Sequence, residues 1–568
     1  MKNYPLYDVR TITDLRDMLN QSVDIWPNEN AFLWKNGSTV YQPITFKEYQ
    51  EDVHALGTAL WDMGYAGKKI VVTGENCYPW AVVYMAVICG LGIICPVDKE
   101  INKEEMENII NISGASLIIH SKATGAKLTD LDIPKIYFDD LPDLIQKGKE
   151  LIAQGKKEYL EAPIDTEGLA SLIFTSGTTG VSKGVMLSQK NICKNLMAMS
   201  SMVYVGHPDV VLSVLPLHHV YECTCGFLCQ LYRGCCIAYC EGLRHIPKNM
   251  QEAKVTYMLA VPVLIESLYK RIWASAEKSG KADKLRKAIK INNALKKVGI
   301  DMSRKLFKEI HEGFGGHLRL IISGGAAIDP TVVMGLRDLG ILCIQGYGLS
   351  ECAPIAALNR DKYYCDSAAG LALPGADLEV VNIKEDGTGD IRTRGDNVML
   401  GYYENPELTA EVMPGDGWYY TGDIGYLDKD GFLHITGRKK NVIVTYGGKN
   451  VFPEELETYL ARNPYVTESV VIGIMNDKKK DYDIVAGIVP NMDKLEEDFG
   501  KDALTPEFVQ GKMEAAAADV NKVVQSYKHI DVVITRYEEF PKNTSKKIKR
   551  YGLEELLMED YKEKVLKI

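Results

Sequence analysis

Between residues 172 and 187 the chain reads Leu-Ile-Phe-Thr-Ser-Gly-Thr-Thr-Gly-Val-Ser-Lys-Gly-Val-Met-Leu. One apolar run enters a loop of Gly, Ser and Thr, and a second apolar run leaves it. Such a loop suits an anion. Gly177 and Gly180 let the backbone curl until successive N–H groups converge. Thr175, Ser176, Thr178 and Thr179 add hydroxyl donors, and Lys183 adds positive charge. The spacing is neither that of the common P-loop, G-x-x-x-x-G-K-[ST], nor G-x-G-x-x-G. A plain hairpin turn needs far fewer small and polar residues, so the composition favours a phosphate cradle.

This loop resembles the signature loop of the adenylate-forming superfamily, which contains acyl-CoA synthetases, peptide-synthetase adenylation domains and firefly luciferase. Further motifs follow in the family's order over nearly the whole chain. Gln345-Gly-Tyr-Gly-Leu-Ser-Glu resembles its Y-G-x-T-E element, and Tyr420-Thr-Gly-Asp its T-G-D. Gly437-Arg-Lys-Lys resembles the hinge, and Pro541-Lys-Asn-Thr-Ser-Lys-Lys-Ile-Lys-Arg the C-terminal P-K-T-x-S-G-K-I-x-R. Such an enzyme brings a substrate carboxylate onto the α-phosphorus of ATP. Positive charge must therefore stand where negative charge accumulates.

The resemblance implies a role for each matching position. Lys547 falls on the catalytic lysine that bridges carboxylate and α-phosphate, although Lys546 stands where the family usually has Gly. Glu351 falls on the Mg²⁺ ligand, a single carboxylate completed by phosphate oxygens and water. Ser350 replaces the usual Thr and keeps a hydroxyl for the α-phosphate. Tyr347 and Gly348 lie at the adenine, Asp423 at the ribose hydroxyls, and Arg438 at the ribose or phosphate. Ser323-Gly-Gly-Ala-Ala-Ile-Asp-Pro resembles the lining of the adenine pocket, with Gly325 and Ala326 leaving room for the base. Lys440 is the implied pivot of a small C-terminal domain. Its swing brings the loop containing Gly447 and Gly448 to line the channel for coenzyme A. His219, in Leu215-Pro-Leu-His-His-Val-Tyr-Glu, resembles a histidine of medium- and long-chain acyl-CoA synthetases that gates the site. A buried structural histidine explains it about equally well.

The elements that must position these groups read as α/β. Phe46 to Met63 has the pattern of an amphipathic helix, and residues 69–73 and 117–120 that of short buried strands. From about 376 short strands and turns predict a β-rich subdomain. After about 440 a helix over 453–462, strands at 469–474 and 484–489, and a long helix over 506–528 predict a small, mobile α+β domain. The expected architecture is a large N-terminal α/β adenylation domain, residues 1–439, followed by a C-terminal domain, residues 440–568. The apolar stretch 80–97 is broken by Gly90, Gly92 and Pro96. It reads as a buried helix and strand rather than a membrane span.

Composition bounds the rest. The chain has 568 residues, 46% hydrophobic and 25% charged, with a formal net charge of -10, which argues against general nucleic-acid binding. The N-terminus carries no signal-peptide pattern, so a cytoplasmic protein is expected. Thirteen cysteines, six of them between 223 and 240, lack paired zinc-site spacing and read as reduced core thiols. Residues 270–308 hold 13 Lys or Arg against three acidic residues. A solvated helical hairpin accounts for that segment better than peripheral contact with an anionic membrane or the phosphates of coenzyme A. The expected reaction is ATP- and Mg²⁺-dependent activation of a fatty acid followed by transfer to coenzyme A. An acyl carrier protein or amine acceptor, and a non-catalytic nucleotide-binding homologue, are the alternatives.

Overall fold

The structure, a computed structural model, describes residues 4–175, 182–446, 449–476, 478–542 and 548–566. Two large sheets form the N-terminal α/β domain. The first has seven strands. Lys69–Thr73, reading Lys-Ile-Val-Val-Thr, lies at its centre between the parallel strands Ile93–Pro96 and Leu117–His120. A strand covered on both faces has no reason to alternate polar and apolar residues, and this one does not. Towards one edge the sheet turns antiparallel, through Leu169–Thr175, Lys183–Ser188 and the two-residue strand Gly401–Tyr402.

The second sheet has nine strands. Its parallel centre runs through Val210–Ser213, Tyr257–Ala260, Leu320–Ser323 and Leu342–Gly348. Strand alternation sends Tyr257, Leu259 and Leu320 to one face, into the large core that also holds the helix Gln189–Met202. Met258, Ala260 and Ile321 go to the other face, against the helices Ile246–Ala253, Pro262–Lys278 and Pro330–Asp338. The stretch 80–97 is a buried helix, Tyr78–Ala86, then a wide turn and the strand Ile93–Pro96. Among the described residues no helix is long and apolar enough to cross a membrane.

A four-stranded antiparallel sheet follows: Ala376–Val381, Gly389–Gly395, Tyr419–Leu427 and Leu433–Arg438. Beyond it lies a small α+β domain, in which Val466–Asn476, Asp481–Pro490 and Val532–Thr535 form a sheet backed by Pro453–Leu460 and Pro506–Asn521. The helix Pro506–Asn521 is shorter than the expected 506–528. It ends at Asn521, whose side-chain amide donates to Ile530 O and whose carbonyl oxygen accepts from Ile530 N, so the chain turns back early. All thirteen cysteines are free, and of the six between 223 and 240 only Cys240 is not buried. The segment 270–308 holds the end of the helix Pro262–Lys278, the helix Ala282–Lys296 and the short helix Ser303–Leu306.

Candidate active site

Ala260, Ser323 and Gln345 are aligned across neighbouring parallel strands. The segments that follow them therefore leave the sheet at one carboxyl edge, where open α/β sheets bind ligands. The seven-stranded sheet adds the end of its hairpin, where Thr175 faces Lys183. The four-stranded sheet adds Asp423, which faces Arg438. Ser323, Gln345, Thr175, Lys183, Asp423 and Arg438 all border one cleft of about 3340 Å³.

Asp423 is the best-held charge in the cleft. It is only 4% exposed. One carboxylate oxygen accepts from the Tyr347 hydroxyl at 2.5 Å, and the other forms an ion pair with Arg438, 2.8 Å from its Nε. Its backbone N–H donates to Thr421 Oγ1 (3.1 Å), whose hydroxyl in turn donates to the Ile391 carbonyl (2.9 Å). Burial and the neighbouring carboxylate push the Tyr347 phenol well above its ordinary range. Burial works against the charge of Arg438, but Asp423, Tyr347, Tyr419 and Glu351 outweigh it and hold the guanidinium above its usual value. Lys440 goes the other way, pushed down by burial and by the positive charges of Arg438, Lys183 and Arg550. A set of cations that repel one another around a cleft is a site for a polyanion.

Glu351 starts from the short turn Ser350–Cys352 and accepts from the Tyr402 hydroxyl at 2.8 Å. The ring of Tyr402 also lies 5.3 Å from Lys183 Nζ. One oxygen of Glu351 is thus oriented by Tyr402, and the carboxylate borders the cleft. A carboxylate held at the edge of a cation-lined cleft fits Mg²⁺, which takes one or two carboxylates plus phosphate oxygens and water.

The remaining expected residues fall around this centre. Gly325 has φ +86° and, like Ala326, is exposed in the cleft. A Cβ on Gly348 would stand 2.5 Å from the Pro354 carbonyl, which explains glycine there. His219 borders the cleft, and its Nδ1 accepts from the Tyr221 N–H at 3.3 Å. Ser176, Gly177, Thr178, Thr179, Gly180, Gly447, Gly448 and Lys547 lie outside the described residues. Next to the last of these, Ile548, Lys549 and Arg550 border the cleft, and Arg550 Nη2 donates to both oxygens of Glu457 (2.7 and 2.5 Å). Tyr446, beside the glycine pair, is 86% exposed.

Two site residues escaped the sequence reading. Tyr402 reaches Glu351 because Gly401–Tyr402 pairs with Val185 and Met186, more than 200 residues earlier, and no local pattern announces that pairing. Tyr221 packs so closely on Gly324 that a Cβ there would come within 2.6 Å of its ring. The paired glycines at 324 and 325 were the available signal.

A family model described as AMP-binding enzyme matches residues 19–403. The chain belongs to the AMP-binding enzyme family. Long chain acyl-CoA synthetase 1 of Arabidopsis thaliana is 29% identical over 553 residues, covering 86% of this chain and 81% of that one. Long-chain-fatty-acid–CoA ligase 1 of Cavia porcellus is 26% identical over 531 residues, covering 86% and 75%. The fold of this AMP-binding enzyme is also that of o-succinylbenzoate coenzyme A synthetase from Bacillus subtilis, solved with ATP and a magnesium ion. That structure has a TM-score of 0.73 at 19% identity and covers 94% of this chain and 99% of its own. This AMP-binding enzyme is thus an adenylate-forming acid–CoA ligase by family, of the AMP-forming acyl-CoA synthetase type, a family that uses ATP, Mg²⁺ and coenzyme A.

Proposed function

We propose that the acid is a fatty acid, activated as acyl-AMP and passed to coenzyme A. The observation that carries this reading is a single cleft with two linings. One holds Lys183, Arg438 and Lys440 beside Asp423 and Glu351; the other is apolar, with Met199, Val203, Cys225 and Leu259. The relatives named as long-chain acyl-CoA ligases favour the same substrate class.

In this reading Tyr347 and Asp423 hold adenosine, with Arg438 fixing Asp423. Thr175, Lys183, Ser350 and the loop 176–180 hold the phosphates, and Glu351 holds Mg²⁺, which would offset phosphate charge. A substrate carboxylate oxygen attacks the α-phosphorus, and pyrophosphate leaves. Lys547 neutralises the charge that two meeting anions accumulate. The thiol of coenzyme A, losing its proton, then attacks the acyl carbon, and AMP leaves. We place the division between the two domains at Lys440. The second step follows a swing there that brings Gly447 and Gly448 to the thiol channel.

A pyrophosphate-release screen over alkanoic, aromatic and dicarboxylic acids tests the substrate class, with thioester formation measured separately for coenzyme A, an acyl carrier protein and an amine. Alkanoic acids with coenzyme A are expected to lead. A preference for an aromatic acid, or for another acceptor, overturns the reading.

A further inference from the structure

The apolar part of the cleft has a floor. It runs down the face of the nine-stranded sheet that carries Leu259 and Ile322, between that sheet and the helical segment 221–233. Its mouth is at Tyr221, whose hydroxyl donates to the Ile322 carbonyl at 3.0 Å. At its far end Tyr257 and Gln230 border the cleft, each about 1% exposed. The Tyr257 hydroxyl donates to Gln230 Oε1, and the Gln230 amide donates to the Cys225 carbonyl. Two polar side chains at the end of an apolar branch thus satisfy each other and face the branch as a closed, neutral wall.

Behind this wall the sheet edge is sealed. Arg319 pairs with Asp209 at 2.5 Å, and the same carboxylate accepts from Thr256 Oγ1 at 2.7 Å. All three residues stand just before their strands, one layer below Tyr257. A chain passing Tyr257 meets a hydrogen-bonded ion pair.

The register supplies a depth. Tyr257 lies three residues before Ala260, which is level with Ser323 and Gln345 at the carboxyl edge. At about 3.3 Å per strand residue that is about 10 Å. An extended alkyl chain built from C–C bonds of about 1.5 Å advances about 1.3 Å per carbon, so about eight carbons fill it. The carboxyl group and its neighbouring carbons stand above the edge, towards the phosphates.

We infer that the Tyr257–Gln230 pair sets the acyl length of this enzyme, limiting it to straight chains of about 8–12 carbons. The inference rests on the fatty-acid reading above. Selection is sharp because each methylene gained or lost in an apolar pocket changes specificity by roughly tenfold or more. Cys229 directly precedes Gln230 in the same helical segment and borders the branch, so a larger side chain there takes space from it.

The test is kcat/KM for pyrophosphate release with saturated acids from 4 to 18 carbons. The wild-type enzyme is compared with Cys229→Leu and with the double variant Gln230→Ala/Tyr257→Phe. The double variant removes both polar partners together, so that neither is left buried and unpaired. The wild type is expected to peak within the stated window and to fall at least tenfold by 16 carbons. The double variant moves the peak up by two or more carbons, and Cys229→Leu moves it down. A wild type that uses 16 carbons as well as 10 overturns the floor while leaving the fatty-acid reading intact. So does a peak that stays put in both variants while their thermal midpoints match the wild type. If no alkanoic acid of any length releases pyrophosphate, the functional reading itself falls and takes the floor with it.

Discussion

Arg462, in the small domain, reaches Asp329 of the large one, its Nε and Nη2 donating to the two carboxylate oxygens at 2.8 and 3.3 Å. Asp329 also accepts from the Thr331 N–H at the start of the helix Pro330–Asp338, so the pair ties the small domain to a fixed point beside the site. Arg462 is 43% exposed on its side chain, and a pair open to solvent on one side contributes about 1 kcal/mol or less. Arg462→Ala is therefore expected to slow acyl-AMP formation about threefold to fivefold and to leave thioester formation from supplied acyl-AMP unchanged. Equal slowing of both steps would show that the pair does not favour one domain arrangement.

Lys547→Ala is expected to abolish pyrophosphate exchange while thioester formation from supplied acyl-AMP stays largely intact. Lys546→Gly, which restores the family's usual residue, is expected to be mild. The reverse ranking would show that the wrong lysine has been assigned.

Lys440 sits in the turn Lys439–Asn441, directly after the strand that carries Arg438. Proline there fixes φ and restricts Lys439. Lys440→Pro should keep acyl-AMP formation and lose most thioester formation. Lys440→Ala, which removes the side chain but leaves φ free, should not separate the two steps. Proportional effects of proline on both half-reactions would remove the pivot.

Tyr347→Phe deletes the hydrogen bond from the Tyr347 hydroxyl to Asp423 and leaves the ion pair with Arg438 in place. A hydrogen bond to a charged group contributes about 1.5–3 kcal/mol. The KM for ATP is expected to rise at least tenfold, with the KM for the acid nearly unchanged. Initial rates over both substrates decide; an unchanged KM for ATP would show that the bond does not prepare the nucleotide site.

Glu222, next to Tyr221, is buried, and its carboxylate oxygen accepts from Ser213 Oγ at 2.6 Å. Burial pushes its carboxyl up to about 8, and the Ser213 hydrogen bond pulls it only partly back. The folded protein thus keeps a proton that the unfolded chain gives up near 4.5. Its contribution to stability falls as pH rises from 4.5 towards 8, by at most about 1.4 kcal/mol per unit. Glu222→Gln cannot ionise, so it should lose less stability across that window. Denaturant midpoints at pH 5, 6.5 and 8 measure this, and parallel slopes in the two proteins would contradict it.

The chemistry-bearing motifs were legible because each is local. The loop from Thr175 to Lys183, the Thr421-Gly-Asp423 triplet and the Gly324-Gly325 pair are each recognisable within a few residues. The strands 69–73 and 117–120 were legible too, since a buried parallel strand shows itself as an uninterrupted apolar run. Partnership was not legible. Asp423 and Arg438 meet through the register of an antiparallel pair, Tyr402 meets Glu351 through a two-residue strand, and Tyr257 meets Gln230 across two layers. Sequence alone therefore supplied the groups that the proposed reading brings to a nucleotide and an acid. Tertiary structure alone decided which of them hold one another, because register and layer packing are set by contacts between residues far apart in the chain.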